Sequence, residues 1–173
     1  ADYLLQFFSS YKIPAVRMPR GSIVALLVPP AILDSSSKEI FSKETSLDDI
    51  TELLCHVRKK QLSVLAYNAH MDVVEAGDTN AWSYNPFEAT IVNNRVYGRG
   101  ACDMKGALAA MAQALVIARN LSENNQLNRA ILACFVTEEE AAEGLAFKEI
   151  LDQPGWRPDA VILGEPSRMQ IAR

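Results

Sequence analysis

Residues 129–140 read RAILACFVTEEE. The apolar run from Ala130 to Val136 reads as a strand, and Thr137 hands the chain straight to three consecutive glutamates, Glu138, Glu139 and Glu140. Neighbouring carboxylates raise one another's pKa, so something must hold three of them together at this strand end. Successive residues of an extended segment point to opposite sides. Glu139 and Glu140 can therefore face different tasks, one accepting a proton and one binding a cation, and spacing leaves open which does which.

The same device recurs on either side. QLSVLAYNAHMDVV (61–74) is a short apolar strand that delivers His70 and Asp72 at its end, and DAVILGEPS (159–167) places Glu165 just past another. Between them, GRGACDMKG (98–106) leads into a helix beginning near Lys105, with Asp103 at its opening and Leu108, Met111, Leu115 and Ala118 on its inward face. Upstream, ADYLLQFFSSY reads as a helix, SIVALLVPP as a strand stopped by Pro29 and Pro30, and DSSSKEIFSKETS (34–46) as a serine-rich loop. Ser46 and Asp49 form a capping-box pattern ahead of a helix that buries Ile50, Leu53, Leu54 and Val57 and ends in Arg58, Lys59 and Lys60. IVNNRVY (91–97) predicts a hairpin, and Phe147, Ile150 and Leu151 outline a last helix. Strands alternating with helices imply an α/β fold, a largely parallel mixed sheet flanked by helices. Ligands of such sheets bind outside the carboxyl ends of the strands, where His70, Asp72, the glutamates and Glu165 all fall.

Composition narrows the function classes. A net charge of -4 over 173 residues offers no basic stripe for a nucleic acid. The longest apolar run, Ile23 to Leu33, is too short to span a bilayer and holds two prolines, so no membrane partner is expected. Cys55, Cys102 and Cys134 are an odd number without CxxC spacing or an N-terminal signal segment, which favours a reduced, cytoplasmic setting. Each thiol reads as a small buried hydrophobe.

Taken singly, each candidate has a plain structural reading. His70 could be a hydrogen-bonded structural histidine, the glutamates a solvated helix start, Glu165 part of a turn and Asp103 a helix cap. Taken together they occupy matching topological positions. Converging carboxylates need a cation, and zinc accepts both imidazole nitrogen and carboxylate oxygen; two such ions about 3.5 to 4 Å apart can share a bridging carboxylate.

The stretch AHMDVVEAGDTNAWSYNPFEATIVNNRVYGRGACDMKGALAAMAQAL (69–115), followed by VTEEE and LGEPS, resembles the M20 family of zinc-dependent metallopeptidases and amidohydrolases. The resemblance runs from about Leu65 to Arg173. It implies a zinc-exopeptidase-like catalytic domain in which His70 and Glu165 bind one zinc, Glu140 binds a second, and Asp103 bridges both. It implies further that Asp72 orients the imidazole, that Glu139 is the general base, that Glu138 is a bystander, and that the peptide after Asp103 is cis. Cobalt or manganese could replace zinc in so carboxylate-rich a site.

Family members also carry a lid or dimerisation domain and a further histidine ligand. Neither follows before Arg173, so residues 1–173 are expected to form part of a catalytic domain, inactive by itself, of a homodimeric protein. Three activities follow as expectations. The first is hydrolysis of an N-acyl amino acid, of the deacetylase or desuccinylase type, because PFEATI, YGRGACDMKG and GEPS most resemble that branch. The second is cleavage of a short peptide by a carboxypeptidase or dipeptidase. The third, from another class, is metal binding without chemistry.

Overall fold

A computed structural model describes residues 1–30, 33, 45–124, 126–142, 144–168 and 170. Most of the serine-rich segment 34–46 therefore lies outside the described residues. The elements are α1 (Asp2–Ser10), β1 (Ala15–Arg17), β2 (Ile23–Leu27), α2 (Leu47–Lys59), β3 (Val64–His70), β4 (Thr90–Val92), β5 (Arg95–Tyr97), α3 (Gly106–Glu123), β6 (Ala130–Val136), α4 (Glu139–Ala142), α5 (Leu145–Leu151) and β7 (Ala160–Leu163). Five strands form one mixed sheet in the order β1-β2-β6-β3-β7. The neighbours β6, β3 and β7 run parallel and β2 lies antiparallel to β6, the largely parallel α/β arrangement expected from the alternating elements.

Strands β2 and β6 are apolar at every position because both faces are covered. In β2, Val24 and Leu26 face one core while Ile23, Ala25 and Leu27 face the other. In β6, Leu132, Cys134 and Val136 join the first core and Ile131, Ala133 and Phe135 the second, the period-2 alternation of a pleated strand. Helix α2 closes the first face with Ile50, Leu53, Leu54 and Val57, all fully buried, each worth about 1.5 to 3 kcal/mol of transfer free energy. Helices α1 and α3 close the second with Leu4, Phe8, Leu108, Ala112 and Leu115. Residues 101–122 are long and apolar enough by composition to cross a membrane; one stripe of α3 packs against this core, while Ile117 and Leu121 are exposed.

Local chemistry accounts for the element ends. The Ser46–Asp49 capping box forms: Ser46 Oγ accepts the Asp49 N–H at 3.2 Å, and Asp49 Oδ2 accepts the Ser46 N–H at 2.8 Å. At the far end of α2, Arg58 donates to Asp159 Oδ2 at 2.7 Å, and the same oxygen accepts the Val64 N–H at 2.7 Å, tying α2 to the starts of β3 and β7. The Asn93–Asn94 turn joins β4 to β5 with φ of 49° and 60°, the pair of left-handed residues a two-residue hairpin loop requires.

Two expectations change. β1 is an additional strand, too short at three residues to show a pattern in sequence. Only Cys134 is buried; Cys55 and Cys102 are exposed. Cys55 is one helical step round from Leu54 and so leaves the inward face of α2, while Cys102 lies in the turn that presents Asp103.

Candidate metal centre

Parallel pairing aligns the carboxyl ends of three strands. His70, the last residue of β3, stands opposite Val136, the last of β6. Asn68 stands opposite Leu163, the last of β7, and its carbonyl accepts the Gly164 N–H at 3.0 Å. The residues that follow β6 and β7 are thereby brought beside His70, although they are separated from it by roughly seventy to a hundred positions in the chain.

His70 is 1% exposed and both its ring nitrogens are engaged. Nδ1 lies 3.0 Å from the carbonyl oxygen of Asp72, which can only accept, so Nδ1 carries a proton. Nε2 faces Asp103 Oδ1 at 2.9 Å. Burial opposes charging of the ring, but the hydrogen bonds to Asp103 and to the Asp72 carbonyl, with the nearby Glu165 charge, outweigh it and raise the His70 pKa above its ordinary value. The arrangement fixes the tautomer that leaves Nε2 as the ligand atom.

Asp103 comes from a five-residue turn, Ala101–Lys105, that departs from helical geometry at Asp103 and Met104. The Asp103–Met104 peptide is cis, as the family resemblance implies. Met104 is fully buried and its Sδ accepts the His70 N–H at 3.2 Å, so this turn and the end of β3 are directly bonded. Gly100, before the turn, has φ +83°, and a Cβ there would stand 2.6 Å from Val73 Cγ1; no other residue fits.

One ligand atom each from His70, Asp103 and Glu165 lie within 4.8 Å of one another. Asp103 and Glu165 are exposed while His70 is buried. Partial desolvation raises the pKa of Glu165, His70 pulls it down, and the charges of Glu139, Asp103 and Glu140 push it up again. The charges of both candidate glutamates after β6 thus act on the same carboxylate, although neither belongs to the three-membered set. One nitrogen and two carboxylate oxygens at this reach suit a divalent ion such as zinc, and the repulsion felt by Glu165 is the charge such an ion neutralises.

One local reading is corrected and another is made specific. Glu139 and Glu140 do not continue an extended segment but begin the single helical turn α4, so they diverge by about 100° rather than 180°. The bond that orients the imidazole comes from the Asp72 main chain: its carboxylate Oδ1 is 3.7 Å from Nδ1 and has no hydrogen-bond partner among the described residues. The other oxygen, Oδ2, accepts the Glu140 N–H at 3.2 Å. Glu138 turns away with φ +58° and bonds Arg20 at 2.8 Å. Arg20, Ser22 and Thr137 are contacts that no local pattern in the sequence marks.

The chain resembles known proteins in sequence and in fold. The chain is 39% identical over 109 residues to a probable succinyl-diaminopimelate desuccinylase of Staphylococcus aureus, covering 60% of this chain and 25% of that protein. It is 37% identical over 113 residues to a succinyl-diaminopimelate desuccinylase of Blochmanniella floridana, covering 63% and 29%. The chain thus spans between a quarter and a third of the length of these curated relatives. In fold it resembles an M20 family metallo-carboxypeptidase from Sulfolobus solfataricus, at 22% identity and a TM-score of 0.61 over 94% of this chain and 31% of that one. It also resembles human carnosine dipeptidase 1, at 18% identity and 0.63 over the same shares. A sequence profile described as peptidase family M20/M25/M40 matches residues 66–173, which takes in every strand end that carries the site, and the chain belongs to that family.

Proposed function

We propose that this chain supplies the metal-binding and proton-transfer groups of an amide hydrolase acting on a small N-acyl amino acid, of the deacylase or desuccinylase type. The observation that carries the reading is the convergence of one imidazole and two carboxylates within 4.8 Å, with the charges of Glu139 and Glu140 acting on the same Glu165. His70 and Glu165 would hold one zinc, Glu140 a second, and Asp103 both. Bound there, a divalent ion supplies Lewis-acid polarisation of the amide carbonyl and lowers the pKa of water. Glu139 takes the proton from the attacking water and returns it to the leaving amine nitrogen. Asp72 holds the His70 Nδ1 proton through its carbonyl and the Glu140 main chain through its carboxylate, keeping the two strand ends in register.

The acyl-amino-acid substrate is supported by sequence identity to the desuccinylases. The family's description as peptidases supports a second reading, cleavage of a dipeptide or a C-terminal residue. Assays of the intact protein on N-succinyl-diaminopimelate, N-acetylornithine and simple dipeptides separate the two, and turnover of dipeptides alone overturns the first. Metal analysis of protein purified without added ions tests zinc against cobalt and manganese. A cytoplasmic location, supported by three free thiols, and a homodimer without nucleic acid or membrane partners belong to the same proposal. Light scattering checks the dimer.

A further inference from the structure

We propose that Glu138, through its ion pair with Arg20, is a positioning residue that sets the directions of Glu139 and Glu140. The inference rests on the hydrolase reading above and gives a task to the one glutamate of the three that the site does not otherwise use. The segment from Thr137 to Glu140 is fixed at both ends. On the β2 side, Thr137 Oγ1 donates to the Arg20 carbonyl at 2.9 Å, the Thr137 N–H donates to Ser22 Oγ at 3.2 Å, and Arg20 Nη1 donates to Glu138 Oε2 at 2.8 Å. On the β3 side, the Glu140 N–H donates to Asp72 Oδ2 at 3.2 Å. Glu139 lies between these anchors and has no freedom to rotate its main chain without breaking one of them.

Glu138 is where the chain leaves the strand. Its φ of +58° is the left-handed conformation that turns an extended run into the helical turn of Glu139 and Glu140. A residue other than glycine or asparagine adopts it at a cost, which a tie from outside the turn helps to offset. Arg20 provides that tie from a residue 118 positions away. With the two side chains 47% and 45% exposed, the pair contributes little to global stability, and its effect is local and directional. The outward pull on Glu138 also removes one of three adjacent negative charges from the cluster, leaving two to face Glu165.

The test is made on the intact protein with Glu138→Gln, Arg20→Gln and the exchange Arg20→Glu with Glu138→Arg. Arg17→Gln, in the same hairpin as Arg20, breaks the exposed pair with Asp2 but none of the clamp's bonds, and serves as control. Each single variant at the clamp is expected to lower kcat about 10- to 100-fold with KM within about twofold, the loss typical of a misdirected catalytic group. Affinity for zinc, titrated calorimetrically as ZnCl2, is expected to fall about tenfold. The exchange is expected to recover most of both losses, while the thermal midpoint and the Arg17→Gln control stay at the wild-type values. Wild-type kcat and zinc affinity in Glu138→Gln overturn the proposal. So does a loss that tracks the thermal midpoint, or one the exchange leaves unrepaired. If the intact protein hydrolyses no amide, the hydrolase reading fails by that result, and the zinc titration alone still decides whether the clamp acts on the site.

Discussion

β6 and β7 are both apolar strands that run into a carboxylate beside His70, yet the molecule holds them differently. β6 is paired on both sides, by β2 and β3, and all seven of its residues are buried. β7 pairs with β3 alone among the described residues and leaves Val161, Ile162 and Leu163 exposed by 40%, 47% and 60%. The corner after β6 is further tied to Arg20, Ser22 and Asp72, whereas the corner after β7 is bonded through Gly164 to Asn68. The difference teaches where the two kinds of function sit. Under the proposed roles, the proton carrier Glu139 stands on the braced corner together with the ligand Glu140, whereas Glu165, whose place a cation can dictate, stands on the freer one.

Exchanging the two carboxylates for amides tests that division most sharply. Glu139→Gln in the intact protein is expected to lower kcat by about 10²- to 10⁴-fold and to keep its metal, as loss of a general base does. Glu165→Gln is expected to lose bound zinc by metal analysis, with zinc affinity down at least about tenfold. A Glu139→Gln protein that loses metal, or a Glu165→Gln protein that retains it, reverses the comparison.

Stability gives the next largest contrast. Phe135, fully buried near the end of β6 and stacked on Phe8 at 5.6 Å, is expected to cost about 3 to 5 kcal/mol on replacement by alanine. Ile162→Ala, half exposed on β7, is expected to cost less than about 1 kcal/mol. Urea unfolding measures both, and equal losses would show that β7 is covered in the intact protein.

The smallest effect concerns what anchors the start of β7. Hydrogen bonds from the Val64 main chain and from Arg58 hold the Asp159 carboxyl below the usual carboxylate range. As pH falls, the unfolded chain binds its proton before the folded one, so this contribution is complete above the ordinary carboxylate pKa of about 4 and disappears as pH drops through the folded value. Asp159→Asn is expected to cost about 1 kcal/mol, held low because the side chain is 53% exposed. The urea midpoints of the two proteins should stay apart between pH 5 and 8 and converge in more acidic buffer. A gap that persists in acid would remove Asp159's charge from the explanation.

Much of the architecture is local and therefore readable along the chain. The Ser46–Asp49 box, the inward stripe of α2 and the Asn93–Asn94 hairpin depend on residues within a few positions of each other, and each forms as the pattern predicts. Strand order is another matter, because β6 enters between β2 and β3 although it follows both in sequence. The exposure of Cys55 was hidden by the same logic: its type suggests burial, but one helical step from Leu54 decides otherwise.

The sequence by itself determined the acids and the imidazole at the ends of apolar runs, because hydrophobic periodicity and turn chemistry are short-range properties of the chain. Only the tertiary structure decided that Asp72 serves His70 with its carbonyl and Glu140 with its carboxylate, that Glu138 turns outward to Arg20, and that Glu165 joins His70 and Asp103 within 4.8 Å. Those contacts join residues up to 118 positions apart. Their partners are chosen by the register of parallel strands and by pairing among charges at the strand ends, neither of which leaves a periodic trace in the residues on its own side of the contact.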